Sequence, residues 1–413
     1  MSLFFSQKLR FPVGCAALLL LGVASSSSDA QSTTSQPQQH LTAQENAPLP
    51  RQQTKLALSQ QKALVAQQIS YPVIDESQSY RYSVKGNDIL SPATLPVVKV
   101  KFNQAKLLTV LSNTRNYFQN YADQDPQILR PGLLGSQGVT IQDVLKTLDF
   151  MIAVLQKDIA HGRVTRLQDP NFLNTHFRVI KWSAYNPHNS HQKQLRITKY
   201  AVFTHPGSHT KTSTFDTPIY SLKSNTNTNK FYTRYTKKDV LSGIYEPGGK
   251  EEGKVETLAY LTRHGLEEAL MEGTIVVNFT DGSKAFFNVD RSNEMPYIRG
   301  VSAEAQKRYW YFRQVDAIKG YGYKIDAKIS ILPGVTFAGD VLNIGLGKVI
   351  VTEYIKGGEK HLRLGVIADT GGAFLPNLHQ LDYLAGIFQN KQDFEEHSKA
   401  LPDYVTAYIL VKK

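Results

Sequence analysis

The chain has 413 residues, a formal charge of +12, 41% hydrophobic residues and 20% charged ones. That balance excludes wholesale disorder and a protein that crosses a membrane many times, and the length allows about two domains plus tails. A single cysteine, Cys15, excludes an intramolecular disulfide, a thiolate metal cage and a Cys-x-x-Cys redox pair.

At the N-terminus, Lys8 and Arg10 precede the apolar run FPVGCAALLLLGVA, 14 residues from Phe11 to Ala24. A membrane-spanning helix needs about 20 such residues. Basic flank, short apolar run and then small residues form an export signal over 1–30, with cleavage after Ala24 or Ala30. A short uncleaved anchor is the alternative. In either case the body lies outside a cytoplasmic membrane, in the periplasm or at an outer membrane. Cys15 precedes the leucine run instead of following it, so the chain does not read as a lipoprotein. Residues 31–70 read as a flexible tether: Gln31 to Gln68 hold 11 Gln and no Trp, Tyr or Phe, too little apolar surface to offset ordering entropy. A transient helix over 56–69 is possible within it.

Next come helices. FNQAKLLTVLSNTRNYFQNY (102–121) has helical periodicity. From Ile141 to about Ala160, apolar residues at 141, 144, 145, 148, 151, 152, 155 and 159 line one helix face. Thr140 and Asp143 form a capping box, and His161-Gly162 stops the helix. From Phe177 onward short strands take over. Asp281-Gly282 turns a hairpin over 273–290, and Gly357-Gly358 turns another over 348–369. Two smaller helices are expected at 236–244 and 379–387. The fold class is α+β, mainly β, with β-barrels in preference to a doubly wound sheet.

Which residues could carry chemistry? The pairs His188/His191 and His205/His209 lie in Asn-, Pro-, Ser- and Gly-rich stretches and read as loop histidines, so no metal site and no cofactor is expected. No phosphate-binding glycine loop and no serine-hydrolase elbow occurs. Lysine and arginine are spread thinly, without a nucleic-acid-binding pattern; for an exported chain the charge suits an anionic wall polymer as partner, with a merely solvated basic surface as the equal alternative. The informative part is the C-terminal 80 residues: VTFAGDVLNIGLG (335–347), GVIADTGGAF (365–374) and LHQLDYLAGIF (378–388). Each holds one aspartate: Asp340, Asp369 and Asp382. Gly371 and Gly372 after Asp369 would admit a close backbone or a sugar. Asp382, between Leu381 and Tyr383, reads as a carboxyl in apolar surroundings, with a raised pKa. Taken alone, three aspartates decide little, because aspartates at strand ends are usually caps or turn residues.

In order and spacing these segments resemble the three-aspartate C-terminal domain of the membrane-bound lytic murein transglycosylase A family. Asp340 matches the family's aspartate before an Ile-Pro-Leu-Gly turn. Asp369 matches that of Asp-x-Gly-Gly-Ala. Asp382 matches the family's catalytic acid. Upstream, LRITKYA (195–201) falls at the Thr-Gly-Tyr-Tyr motif and Glu272-Gly273-Thr274-Ile275 at the Gln-Gly-Ser-Gly turn. The resemblance covers about residues 160–413. Departures are Phe374-Leu375-Pro376 in place of a family Lys-Gly, Lys199 in place of a glycine, and a gap of 13 from Asp369 to Asp382.

The resemblance implies a double-psi β-barrel with a helical N-terminal part (71–202 and 304–413) and a smaller β-barrel inserted at 203–303, with glycan strands of peptidoglycan in the groove between them. It implies cleavage of the β-1,4 bond between N-acetylmuramic acid and N-acetylglucosamine without water, leaving a 1,6-anhydro end. Asp382 would be the acid, Asp369 and Asp340 would hold the site, and Thr198, Tyr200, Glu272, Thr274, Gly371 and Gly372 would line it. A monomer in the bacterial cell envelope is expected. Two rivals stay open: a non-catalytic peptidoglycan-binding protein on the same fold, and a β-glycan hydrolase that uses two carboxylates.

Overall fold

The computed structural model describes residues 70–75, 82–223, 230–374 and 376–413. The expected export signal, and the tether up to Ile69, lie outside the described residues. Among the described residues no helix is long and apolar enough to cross a membrane.

The described residues begin with short strands that the sequence reading passed over. These are β1 (Ser70–Pro72), β2 (Ser83–Lys85), β3 (Leu90–Ala93) and β4 (Val100–Lys101). Helix α1 (Gln104–Tyr121) and helix α2 (Ile141–Ala160) follow, at the expected places. The Thr140 hydroxyl accepts from the Asp143 amide, and the Asp143 carboxylate accepts from the Thr140 amide, which closes the capping box. Gly162, at φ +63°, takes the left-handed turn that ends the segment. Val144, Leu148, Met151 and Leu155 of α2 are buried. Burial of each such side chain contributes about 1.5–3 kcal/mol. The Thr147 hydroxyl accepts from the Lys412 amide at 2.8 Å, tying α2 to the last strand of the chain. A short helix α3 (Pro170–His176) leads into the sheets.

These sheets contain β5 (Phe177–Trp182), β6 (Leu195–Ser208), β7 (Thr217–Leu222), β8 (Val255–Leu261), β9 (Thr274–Phe279), β10 (Lys284–Ser292), β11 (Trp310–Val315), β12 (Thr336–Ala338), β13 (Val349–Lys356), β14 (Glu359–Asp369), β15 (Gln380–Phe388) and β16 (Tyr404–Lys412). The chain is therefore a mixed helix-and-sheet protein, mainly sheet. Both expected hairpins are present, β9–β10 and β13–β14. Gly282, at φ +85°, supplies the turn of the first. The expected helix at 236–244 forms as α4 (Lys237–Leu241), and α5 (Arg263–Ala269) precedes β9.

The expectation of a helix at 379–387 is wrong. That segment is β15, antiparallel to β12 on one side and parallel to β6 on the other. Ile387 within it is 39% exposed. β6 pairs with it from Gln380 to Phe388 and β12 pairs at Asp382 and Tyr383, and this pairing overrides the local preference. The helix in this part of the chain comes later, as α6 (Lys391–Lys399).

Six strands pair in a cycle that returns on itself: β6–β15–β12–β14–β13–β16–β6. β6 is the strand that serves two sheets. Its first part, to Phe203, pairs with β15, and Thr204–Gly207 pair in parallel with β9. Two apolar cores result. One lies under α1, α2 and the cyclic sheet. The other gathers residues from Ile219 to Phe312.

Candidate active site

The sheet register brings the aspartates together. Ala338 on β12 pairs with Asp369 on β14 and with Asp382 on β15. Asp382 in turn pairs with Thr198 on β6. The two aspartates are thus two strand spacings apart, about 9–10 Å between backbones. Laterally paired residues share a sheet face, so Thr198 stands beside Asp382, and Tyr200, two residues on, stands on the same face. Leu381 and Tyr383 point the other way. The apolar flank read from the sequence is therefore on the opposite face of the strand, and the carboxyl of Asp382 is desolvated by the sheet around it.

Asp369 is half-buried and held on both oxygens. Tyr200 donates its hydroxyl to Oδ2 at 2.7 Å, and the Thr370 amide donates to Oδ1 at 2.8 Å. Burial lifts its pKa to about 6, against the pull of these bonds and of the Lys328 ammonium, and the Asp382 charge adds to the rise. Asp382 differs. Gln380 Nε2 donates to Oδ1 at 3.0 Å and also to the Thr198 hydroxyl at 3.0 Å. Among the described residues nothing donates to Oδ2 of Asp382. Its pKa is also pushed up to about 6 by burial, opposed by the Gln380 bond and by Arg196. Of the four oxygens of the pair, three accept a hydrogen bond from the framework, and among the described residues Oδ2 of Asp382 accepts none.

Asp340 lies in the loop after β12, 0% exposed. Asn343 donates to it through its amide at 2.9 Å and its Nδ2 at 2.8 Å, and the Asn377 amide donates at 2.9 Å. Asn343 then clasps Ile74 through both its side-chain atoms. Asp340 therefore ties the loop after β12 to the approach to β15, and burial raises its pKa to about 6.

The remaining expected groove residues divide. Gly371 and Gly372 are exposed beside Asp369. A Cβ on Gly371 would meet nothing within 4 Å, so the fold itself does not require that glycine. Glu272 is turned toward β6: it accepts from the Phe203 amide at 3.1 Å and lies 3.2 Å from His205 Nε2. His205 is correspondingly a buried strand residue of β6, not a loop histidine. Thr274 is buried, and its hydroxyl accepts from Asn288 Nδ2 at 2.7 Å. His188 and His191 stay in an exposed turn. Among the described residues no group of three His, Cys, Asp or Glu could hold a metal ion.

Two site residues escaped the sequence reading. Gln380 bridges Thr198 and Asp382, and Lys328 lends its charge to Asp369. An alternation reading of β15 would have found Gln380, since Gln380 and Asp382 share a face. No local signal marks Lys328.

No family model matches the sequence, and no curated protein does either. Solved structures do match. A membrane-bound lytic murein transglycosylase from Agrobacterium tumefaciens superposes with a TM-score of 0.52 at 16% identity, covering 78% of this chain and 98% of that one. Escherichia coli MltA with bound chitohexaose also gives 0.52, at 17% identity over 78% of this chain and 94% of that one. MltA from Neisseria gonorrhoeae gives 0.50 at 14% identity, over 83% and 96%. The chain has the fold of these transglycosylases. At such identities the likeness is one of fold, and the chemistry has to be argued from the side chains.

Proposed function

We propose that the chain is a peptidoglycan lytic transglycosylase that works with one carboxyl group, Asp382. The observation that carries the reading is the asymmetry of the pair. Both oxygens of Asp369 are engaged by Tyr200 and Thr370, whereas Oδ2 of Asp382 has no donor among the described residues. A hydrolase of the usual kind needs two working carboxylates. Asp369, bound on both sides, is poorly placed to activate water.

The reaction needs one proton shuttle. Asp382, protonated near its raised pKa, gives its proton to the glycosidic oxygen as the C1–O4 bond breaks. The resulting carboxylate takes the proton from the C6 hydroxyl of the muramic acid as that oxygen bonds to C1. The product carries a 1,6-anhydro ring, the acid is regenerated, and no water enters. The Asp369 carboxylate provides negative charge beside the cationic sugar at the transition state. Gln380 and Thr198 orient the acid, and Asp340 holds the loops under it.

The closed cycle of six strands supports a double-psi β-barrel for the main unit, 71–202 with 304–413. The second core supports a smaller inserted barrel over 203–303, with glycan strands in the groove between the two. Gly371 and Gly372 belong to the walls of that groove in this reading, and Glu272 and Thr274, engaged by Phe203, His205 and Asn288, support it from behind. Export through residues 1–30, the tether over 31–70, an envelope location and a monomeric state complete it.

The alternative with a specific observation behind it is an inverting hydrolase. Two carboxylates on strands about 9–10 Å apart can fall in the separation that leaves room for a water, about 6.5–9.5 Å. Digestion of sacculi in 18O-labelled water separates the two. Transglycosylation gives anhydro ends free of label. Labelled reducing ends would overturn the proposal, and binding without any cleavage would favour a non-catalytic wall-binding protein.

A further inference from the structure

Residues 70–75 form a strap laid against the loop that follows β12. β1 pairs with β2, and the Val73 amide donates to the Tyr82 carbonyl at 3.0 Å. Just past β1, Ile74 gives its whole backbone to one side chain. Its amide donates to Asn343 Oδ1 at 2.8 Å, and its carbonyl accepts from Asn343 Nδ2 at 3.0 Å. The Tyr71 hydroxyl reaches the same Oδ1 at 3.3 Å. Asn343 is 0% exposed, and a buried amide left without such partners is costly. With its oxygen turned to Ile74 the amide has one orientation, and Nδ2 also donates to Asp340 Oδ2 at 2.8 Å.

Two routes lead from this strap to the candidate site, and both arrive just ahead of Gln380. On the first, Asp340 accepts from the Asn377 amide at 2.9 Å, and Asn377 Oδ1 accepts from the His379 amide at 3.1 Å. On the second, Tyr82, whose carbonyl holds Val73, stacks on Tyr185 with ring centroids 5.5 Å apart. The Tyr185 amide then donates to the Leu378 carbonyl at 3.2 Å. Residues 377–379 run directly into Gln380, which donates to Asp382. A branch of the first route serves the other carboxyl. Gly339, beside Asp340, donates its amide to the Asp369 carbonyl at 3.1 Å and accepts from the Thr370 hydroxyl at 2.9 Å. The Thr370 amide is in turn a donor to the Asp369 carboxylate. The strap thus reaches both carboxyls through hydrogen bonds of ordinary length.

We infer that Ile74 and Asn343 are positioning residues of this site: the strap 70–75, which follows the expected tether, holds Gln380 in place against Asp382 and Thr370 against Asp369. The purpose of that hold rests on the transglycosylase reading, but the clasp and its effect on Asp382 do not. The segment next to the tether is then part of the catalytic unit, and loosening it lowers turnover without altering the groove.

The test compares Ile74→Pro with Ile74→Val in the full chain. Proline removes the amide that binds Asn343, and valine keeps it. On purified sacculi, Ile74→Pro should lower kcat at least about 10-fold with KM unchanged, since a misplacement of about 1 Å can cost about 10²-fold. Ile74→Val should match the wild type. A second reading needs no substrate: titration of protein labelled with 13C at the aspartate carboxyl carbons, with Asp382 assigned through Asp382→Asn. Ile74→Pro should raise the Asp382 midpoint by up to about one pH unit, the worth of one hydrogen bond to a charged group. Tyr82→Ala opens the second route, should give smaller changes in the same directions, and carries the test if Ile74→Pro does not fold. A folded Ile74→Pro or Tyr82→Ala protein with the wild-type kcat and the wild-type Asp382 midpoint overturns the inference, and so does an equal loss in Ile74→Val. If the wild type released no anhydro products, the functional reading would fall, and the Asp382 midpoint alone would still decide the role of the strap.

Discussion

Lys348, the residue before β13, is 2% exposed, and among the described residues its ammonium has no hydrogen-bond partner. Burial alone pushes its pKa from 10.5 down to about 7. The folded protein therefore gives up a proton that the unfolded chain keeps between about pH 7 and 10.5. Where the unfolded state binds more protons, stability rises with pH. The burial cost is present in full below pH 7 and fades as the pH climbs toward 10.5. At 1.36 kcal/mol per pH unit, the cost is about 4 kcal/mol at pH 7 and about 1.5 kcal/mol at pH 9.5. Lys348→Met keeps the length and apolar stem and removes the amine. The variant should be more stable than the wild type by a few kcal/mol at pH 7, with a gap that narrows by about 2–3 kcal/mol at pH 9.5. Urea unfolding followed by circular dichroism at the two pH values measures both quantities. A variant no more stable at pH 7, or a gap that stays constant with pH, would refute the reasoning. The comparison between variants cancels every other group that titrates in this range.

Three further outcomes follow from the same chemistry. Asp382→Asn should stabilise the fold at pH 7 by about 1–2 kcal/mol, a figure discounted for the solvent that the half-buried carboxyl still sees. Its folded pKa, about 6, lies above the unfolded 3.8, so the burial cost exists above pH 6 and is gone below about pH 4; thermal unfolding in which the gain persists at pH 4 would contradict this. Thr140→Ala opens the capping box of α2 and should cost about 1 kcal/mol in urea unfolding, and a neutral substitution would mean that the box adds nothing. Binding to sacculi should weaken between about 0.05 and 0.5 M salt, because a +12 chain is drawn to an anionic polymer; equal retention in a pull-down at both salt concentrations would remove the electrostatic part of the account.

What could be read from the sequence was what is local. The α2 face, its Thr140–Asp143 cap and the Asp281-Gly282 turn depend on residues within a few positions of one another, and each appears where its pattern put it. β15 was misread because Leu381, Leu384 and Ile387 mimic a helix face, while the strands that hold it, β12 and β6, come from far along the chain. The order of the three aspartates was visible, but their chemical difference was not. That difference comes from Tyr200 and Thr370 on one carboxyl and Gln380 on the other, a matter of sheet register. Lys328, whose charge acts on Asp369, was invisible for the same reason: its segment docks on β14 through the Tyr321 amide. Glu272 was expected to face the groove, yet its oxygens are engaged by β6, which a motif match cannot reveal.

The central claim is that one carboxyl group, Asp382, cleaves glycan strands without water. Its most direct test is chromatography with mass spectrometry of what purified sacculi release when treated with wild type and with Asp382→Asn. The wild type should release muropeptides with 1,6-anhydro ends. The variant, folded by circular dichroism and still retained on sacculi, should lose release by at least about 10²-fold, because the amide can neither donate the proton to the leaving oxygen nor accept that of the C6 hydroxyl. A folded variant that releases anhydro products at near wild-type rate would contradict the account, as would a wild type whose products all end in reducing sugars.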